Sequence, residues 1–117
     1  VPMTVLDWQT IGLGSGPLDV AYFLGLNIPT ETRRAREREM LGYYSERLGA
    51  YGAGKIDDSQ LLNEYRISAY YGLVTAILAT NFAKKTPRGD QVFLMIARGA
   101  CAQMHDLETL SALSKSI

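Results

Sequence analysis

The fold is decided between residues 5 and 24, which read VLDWQTIGLGSGPLDVAYFL. The stretch opens on alternating β-branched and aromatic side chains, which predicts a short strand over residues 1–10. Three glycines at alternate positions and Pro17 follow, a composition typical of a connector that delivers the chain into a helix. The apolar spacing after Pro17 predicts that helix over residues 18–26, with its end near Asn27 and Pro29.

Four further helices are predicted downstream of this stretch. Residues 30–50 begin with opposite charges at helical spacing and later become apolar on one side. The next helix is capped by Asp57 or Asp58 and reaches residue 81; its part over 67–79 is apolar nearly all round, which predicts the central, most buried helix. Another starts at Asp90, and a short last helix has Asp106 as its N-cap. The fold class is therefore mainly α, with about five helices and a short N-terminal β-strand.

Composition narrows the class of protein. The 117 residues and 12.9 kDa fit one domain. Twelve Lys and Arg balance twelve Asp and Glu, so charge gives no reason to expect nucleic acid or an anionic membrane as partner. The single cysteine and single histidine exclude a disulfide scaffold and a zinc finger, and they favour a reducing, cytoplasmic location. No stretch predicts a membrane span.

Two aspartates are candidate site residues. Asp7 lies in the apolar strand just before the glycines, where a carboxylate is either a wet residue of an edge strand or a Mg²⁺ ligand of a phosphoryl-transfer site. Asp19 lies at the start of the first helix, where its charge suits the positive end of the helix dipole. The glycine run itself lacks the lysine of a P-loop, so we interpret it as a connector rather than a phosphate cradle.

Other reactive side chains have structural interpretations. The arginines at positions 33, 34, 36 and 38 are offset by nearby glutamates, which predicts a solvated helix face rather than an anion site. Cys101 falls on an apolar helical face, which predicts a core residue. His105 stands beside a predicted helix cap without a nucleophile near it in the sequence, which predicts a surface or capping residue.

The motifs of residues 5–24 resemble a segment of aminoglycoside-phosphotransferase-like kinases, especially their choline-kinase-like and ecdysteroid-kinase-like relatives. That segment carries "IDW" and then "G.P..DLA.FL", matched here in order by Asp7, Trp8, Gly16-Pro17 and Asp19-Val20-Ala21. The resemblance implies part of a protein-kinase-like C-terminal lobe. Residues 1–117 would form a single helical subdomain of it, with the N-terminal lobe and the catalytic loop missing.

The resemblance also implies roles for individual residues. Asp7 matches the aspartate that binds the Mg²⁺ bridging the ATP phosphates, so it is the expected metal and cofactor-binding residue of the parent protein. Asp19 matches a buried aspartate that braces the catalytic loop, a structural support of the site. The family's catalytic loop, His-Gly-Asp followed by Asn, does not appear here, so no catalytic residue is expected within this chain.

Two functions remain open at this point. The first is the C-terminal portion of an ATP-dependent phosphotransferase acting on the hydroxyl of a small-molecule acceptor, inactive and without ATP or Mg²⁺ when isolated. The alternative is a helical dimerisation or interaction module without catalytic activity. In both cases a lone strand leaves its backbone groups unpaired. We therefore expect a partner, either the missing N-terminal portion or a second copy paired through residues 3–9 in a homodimer.

Overall fold

The structure, a computed structural model, describes residues 4, 6, 11–54 and 56–116, and it is mainly α as predicted. Within those ranges six helices follow one another: α1 (Gly16–Asn27), α2 (Thr30–Ala50), α3 (Asp58–Ser68), α4 (Tyr70–Phe82), α5 (Pro87–Asp106) and α6 (Thr109–Ser114). The strand predicted over residues 1–10 lies outside the described residues, apart from Thr4 and Leu6, which are exposed and in no regular element.

Local signals account for the ends of the first two helices. Pro17 stands in the first turn of α1, where no backbone N–H is needed, and Pro29 follows the last turn. Helix α2 has the predicted bounds. It ends because Gly52 and Gly54 adopt left-handed φ angles of 82° and 83°, which glycine tolerates without a steric penalty.

The single helix predicted over residues 57–81 is instead two helices, α3 and α4. Asp57 caps α3 as predicted, since its carboxylate accepts hydrogen bonds from the amides of Ser59 (2.9 Å) and Gln60 (3.2 Å). The helices separate at Ala69, next to a docking contact from α6. There the Arg66 carbonyl accepts a hydrogen bond from the Thr109 hydroxyl at 2.8 Å. Ala69 itself keeps helical dihedral angles, so no helix breaker in the sequence marks this point.

Helix α1, rather than α4, occupies the centre of the fold. It packs against α2, α3, α4 and α5, and its Ala21 and Leu24 are almost completely buried. By contrast, α4 buries only Gly72 and Ala76. The predicted central position of residues 67–79 was therefore wrong, because apolar composition shows that a helix can be covered and not which part of the chain covers it. Among the described residues, no helix combines the length and apolar character needed to cross a membrane.

The last two helices also differ from the prediction. Helix α5 begins at Pro87 rather than Asp90, because Thr86 is its N-cap and its hydroxyl accepts the Gly89 amide at 3.0 Å. It continues to Asp106, so Asp106 is not the N-cap of α6. That position belongs to Glu108, whose left-handed φ of 50° turns the chain between the two helices.

Helices α1 and α5 cross with their backbones in close approach. A Cβ atom added at Gly99 would overlap the carbonyl oxygen of Gly25, and one added at Gly25 would overlap the side-chain oxygen of Gln103. Because neither Gly25 nor Gly99 has a Cβ atom, α5 packs close enough to α1 for Gln103 to form a hydrogen bond with the Ala21 carbonyl.

Candidate functional site

The residue on which the phosphoryl-transfer prediction depends lies outside the described part of the chain. This holds for Asp7 and for its neighbours Trp8 and Gln9, so their roles stay predictions. Asp19 lies in the first turn of α1 and is exposed. Its predicted role as a support for the site also stays a prediction.

The connector joins the described fold at one corner, which we call the connector corner: Ser15, Gly16, Asp19, Tyr44 and Glu64. The Ser15 hydroxyl donates to Glu64 at 2.6 Å, and this bond, together with one from Gln60, lowers the pKa of the Glu64 carboxyl. Burial raises the pKa of the Tyr44 phenol, with a further contribution from the charges of Asp19 and Glu64. The connector is thus fixed at its helical end to α3, beside two carboxylates.

An ion cluster around the buried Arg33 ties α2 to the end of α5. Arg33 is 1 % exposed, and its guanidinium donates to Glu37 at 2.8 Å and to Asp106. Arg34 donates two more hydrogen bonds to the same Asp106 carboxylate, of 2.8 and 3.1 Å. Paired charges of this kind can lie in a protein interior because each guanidinium hydrogen bond replaces one to water.

Neutral groups extend this cluster to the central helix. Tyr65 of α3 is fully buried and donates to Glu37 at 3.1 Å. The side-chain amide of Gln103 donates to the Tyr65 oxygen at 2.9 Å and to the Ala21 carbonyl at 3.1 Å. We call the whole set the arginine network: Arg33, Arg34, Glu37, Tyr65, Gln103 and Asp106. It connects α1, α2, α3 and α5.

Contacts within the network shift the pKa values of Asp106, Arg33 and Tyr65. Hydrogen bonds from Arg34 and then Arg33 lower the pKa of the Asp106 carboxyl to about 2, against the opposing effect of desolvation. Burial opposes the charge of Arg33, but its hydrogen bonds to Asp106 and Glu37 outweigh burial and raise its pKa. Burial, and then the charge of Glu37, raise the pKa of the Tyr65 phenol. At neutral pH Asp106 is therefore ionised and Tyr65 is neutral.

Sequence reasoning missed this network, because it treated the arginine run as a solvated face. That prediction holds for Arg36 and Arg38, which are exposed, and only in part for Arg34, which is exposed and pairs with Glu31 but also with Asp106. It is wrong for Arg33. A signal was present, since Arg33 stands four and eight residues before Glu37 and Leu41, on the stripe that α2 turns towards the core.

A cleft of about 300 Å³ opens beside the network, between α2, α3 and the corner of α5 and α6. The Arg66 guanidinium on its wall donates to the Leu107 carbonyl at 2.7 Å and approaches Glu108 at 3.5 Å. Of the charged side chains that line the cleft, Glu37, Arg66 and Asp106 pair with protein groups, and the lining residues include no nucleophile beside a base. We therefore interpret the cleft as a surface feature beside the arginine network and not as a catalytic site.

The remaining reactive side chains lie at the surface. Cys101 is exposed, so its predicted place in the core was wrong. The His105 side chain is 91 % exposed, as predicted for a surface residue. In residues 11–54 and 56–116, no three His, Cys, Asp or Glu side chains come together in a way that could hold a metal ion.

The first part of the chain, up to the end of α2, holds the motif of residues 5–24, the connector corner apart from Glu64 of α3, and both Arg33 and Arg34. Residues 2–52 match the model of the ecdysteroid kinase-like family. The resemblance read from the motif is thereby confirmed over a longer range, and it relates this segment to kinase-like phosphotransferases. No curated protein and no solved structure matches the chain.

The ecdysteroid kinase-like segment ends where α2 ends, at the left-handed Gly52. It contributes Arg33, Arg34 and Glu37 to the arginine network, whereas Tyr65, Gln103 and Asp106 come from beyond it. The network therefore joins the matched segment to helices α3 and α5.

Proposed function

We propose that this chain is the C-terminal portion of an ATP-dependent phosphotransferase that acts on the hydroxyl of a small-molecule acceptor. The observation that carries the proposal is the ecdysteroid kinase-like match over residues 2–52. It spans the aspartate-aromatic pair Asp7-Trp8, the Gly16-Pro17 start of α1 and the Asp19-Val20-Ala21 that follows.

In this proposal Asp7 is the residue that this chain contributes to a Mg²⁺ site at the ATP phosphates. Mg²⁺ neutralises charge that develops on the transferred phosphoryl group. Such ions are commonly held by one or two carboxylates together with phosphates and water, so a single aspartate from this chain fits the chemistry.

The described residues have a supporting part in this proposal. The Ser15–Glu64 bond and the packing of Gly16 against Tyr44 hold the end of the connector that leads from Asp7. The arginine network then holds α1 and α2 on α3 and α5. The chain alone has neither a phosphate clamp nor a residue that orients an acceptor hydroxyl, so we expect it to be inactive.

The test uses the parent protein with its upstream portion, assayed for ADP formation from ATP and Mg²⁺ with a panel of small alcohols. Asp7→Asn keeps the shape and removes the charge, so phosphoryl transfer should fall by orders of magnitude with an unchanged thermal melt. Asp90→Asn, an exposed aspartate on α5, is the matched control and should keep full activity. Full activity of Asp7→Asn would remove Asp7 from the mechanism.

The isolated chain provides a second test. One carboxylate without a phosphate clamp should bind ATP and Mg²⁺ too weakly for detection by calorimetry at micromolar protein. Tight binding would contradict the proposed division of the site between this chain and an upstream portion.

The alternative, a helical dimerisation or interaction module, is favoured by a different observation, the exposed apolar surface of α4. An absence of any phosphotransferase activity in the parent protein, together with specific self-association of the chain, would favour this alternative.

A further inference from the structure

The outer side of α4 is apolar and uncovered. Val74, Ile77, Leu78 and Phe82 are 38, 55, 51 and 86 % exposed, and no charged residue occurs between Tyr70 and Phe82. A helix that is apolar all round is ordinarily covered on all sides. The packing of α4 against α5 and α1 covers only one of its sides, the one with Gly72 and Ala76.

The uncovered surface continues onto α5. A groove of about 350 Å³ separates the two helices, with Ile77 on one wall and Leu94 on the other, and Asp90 of α5 also lines it. Leu94 also lines a larger cleft of about 650 Å³, which it shares with Met95, Leu26 and Ile28. We define the α4–α5 face by its six most prominent members: Val74, Ile77, Leu78, Phe82, Leu94 and Met95.

The size of this face matches what an interface needs. From their exposed fractions, and side-chain areas of about 150–200 Å² each, the six side chains leave on the order of 600 Å² of apolar surface in water. A stable interface of ordinary size buries about 800 Å² on each partner. The residues that line the grooves beside Ile77 and Leu94 adjoin this surface and would be covered with it.

We infer that the α4–α5 face pairs with the same face of a second copy of this chain, about a two-fold axis. In such a contact each surface meets its own equivalent, so any charge on it would lie near the same charge of the partner. Helix α4 carries none, and the one charge that lines the groove is Asp90 at the start of α5. Charged residues instead border the face, with Lys84 and Lys85 after Phe82 and Arg98 on α5. An apolar centre with a charged border is the usual anatomy of an interface between copies.

Sedimentation velocity of the 117-residue chain over a range of micromolar concentrations, with reductant to keep Cys101 from forming disulfides, tests this pairing. We expect a reversible dimer of twice 12.9 kDa. Ile77→Lys places like charges near the axis and should weaken the dimer by about tenfold or more. Tyr43→Lys, on α2 and 64 % exposed, is the control outside the face and should leave the dimer intact.

A second measurement guards against a variant that fails to fold. A spin label on Cys101, the chain's single and exposed cysteine, should give one narrow distance distribution within a two-fold dimer, and that signal should disappear in Leu94→Lys. Any one of three results would overturn the inference: a monomer at every concentration, aggregates of open-ended size, or a dimer that neither Ile77→Lys nor Leu94→Lys weakens.

Discussion

Tyr65 is the residue at which the buried hydrogen bonds of three helices meet, because its hydroxyl donates to Glu37 and accepts from Gln103. Tyr65→Phe would leave both partners one hydrogen bond short in a buried place. We expect the free energy of unfolding to fall by about 1–3 kcal/mol, measured by urea denaturation. Tyr43→Phe, which changes an exposed tyrosine, should alter it by less than about 0.5 kcal/mol. Equal effects of the two changes would refute a structural role for the Tyr65 hydroxyl.

Asp106 should make stability depend on acid pH. Because its pKa is lowered to about 2 in the folded chain, its contribution is fully present above its ordinary pKa and is lost as the pH falls towards about 2. Asp106→Asn should reduce the free energy of unfolding by about 1–2 kcal/mol at neutral pH, since buried Arg33 loses one charged partner but keeps Glu37, and the contact with exposed Arg34 is screened by water. The difference from wild type should shrink between about pH 5 and pH 2.

Glu108→Gln provides the control for this measurement, because Glu108 is exposed and stands 3.5 Å from its arginine. Its effect should remain below about 1 kcal/mol. A difference between Asp106→Asn and wild type that stays constant across acid pH would show that the charge of Asp106 does not contribute.

The sequence could predict that Arg33 faces the core, but not that Asp106 is its partner. The spacing of Arg33, Glu37 and Leu41 indicates that Arg33 shares the inward stripe of α2. Its partner, however, lies 73 residues further along the chain. Local patterns carry no information about which distant carboxylate the folded helices bring to a given arginine. Asp106 could therefore be identified as the partner of Arg33 only from the structure.

At the scale of elements, the crossing of α1 and α5 depends on Gly99. Gly99→Ala would push a methyl group into the Gly25 carbonyl, a backbone atom that cannot move aside as a side chain can. We expect a loss of about 1–3 kcal/mol of unfolding free energy, seen as a lower melting temperature. Gly42→Ala on α2 meets only open space and should instead stabilise by about 0.5–1 kcal/mol, because alanine favours the helix. Melting shifts of the same sign would contradict this assignment.

Helix bounds were predicted correctly for α2, and wrongly at the start of α5, where Thr86 is the cap, and at the separation of α3 from α4. Helix α2 has its predicted ends, since Pro29 and the glycines after Ala50 act on their own neighbours. The separation of α3 from α4 follows from the docking of Thr109 onto the Arg66 carbonyl. Nothing near Ala69 in the sequence announces that contact, so periodicity alone predicted one continuous helix.

At the scale of the whole molecule, the two sides of α4 should respond differently to the same change. Ala76 is 3 % exposed and faces α5, so Ala76→Asp should cost about 3 kcal/mol or more by burying an unpaired charge. Ile77→Asp, one residue on, should leave the melting temperature of the dilute chain nearly unchanged. Thermal melts at low protein concentration make the comparison, and equal losses would show that both sides of α4 are covered within one copy.

The mainly α fold and the kinase-like relationship were both accessible from sequence, the second because a motif of residues 5–24 proved part of a family match over residues 2–52. The placement of α4 was not accessible. Its apolar composition indicates only that the helix is buried. The residues that bury it can belong to the same chain or to a second copy.

The arginine network has a consequence for how the molecule opens. Because it links α1, α2, α3 and α5 through the buried side chains of Arg33, Tyr65 and Gln103, these four helices should lose their structure together, as one cooperative unit. Their amide hydrogens would then exchange with solvent only through near-complete unfolding. The C-terminal turns of α4, outside the network, would exchange through local fraying, so the end of the most apolar helix would be less protected than the four helices that the network joins.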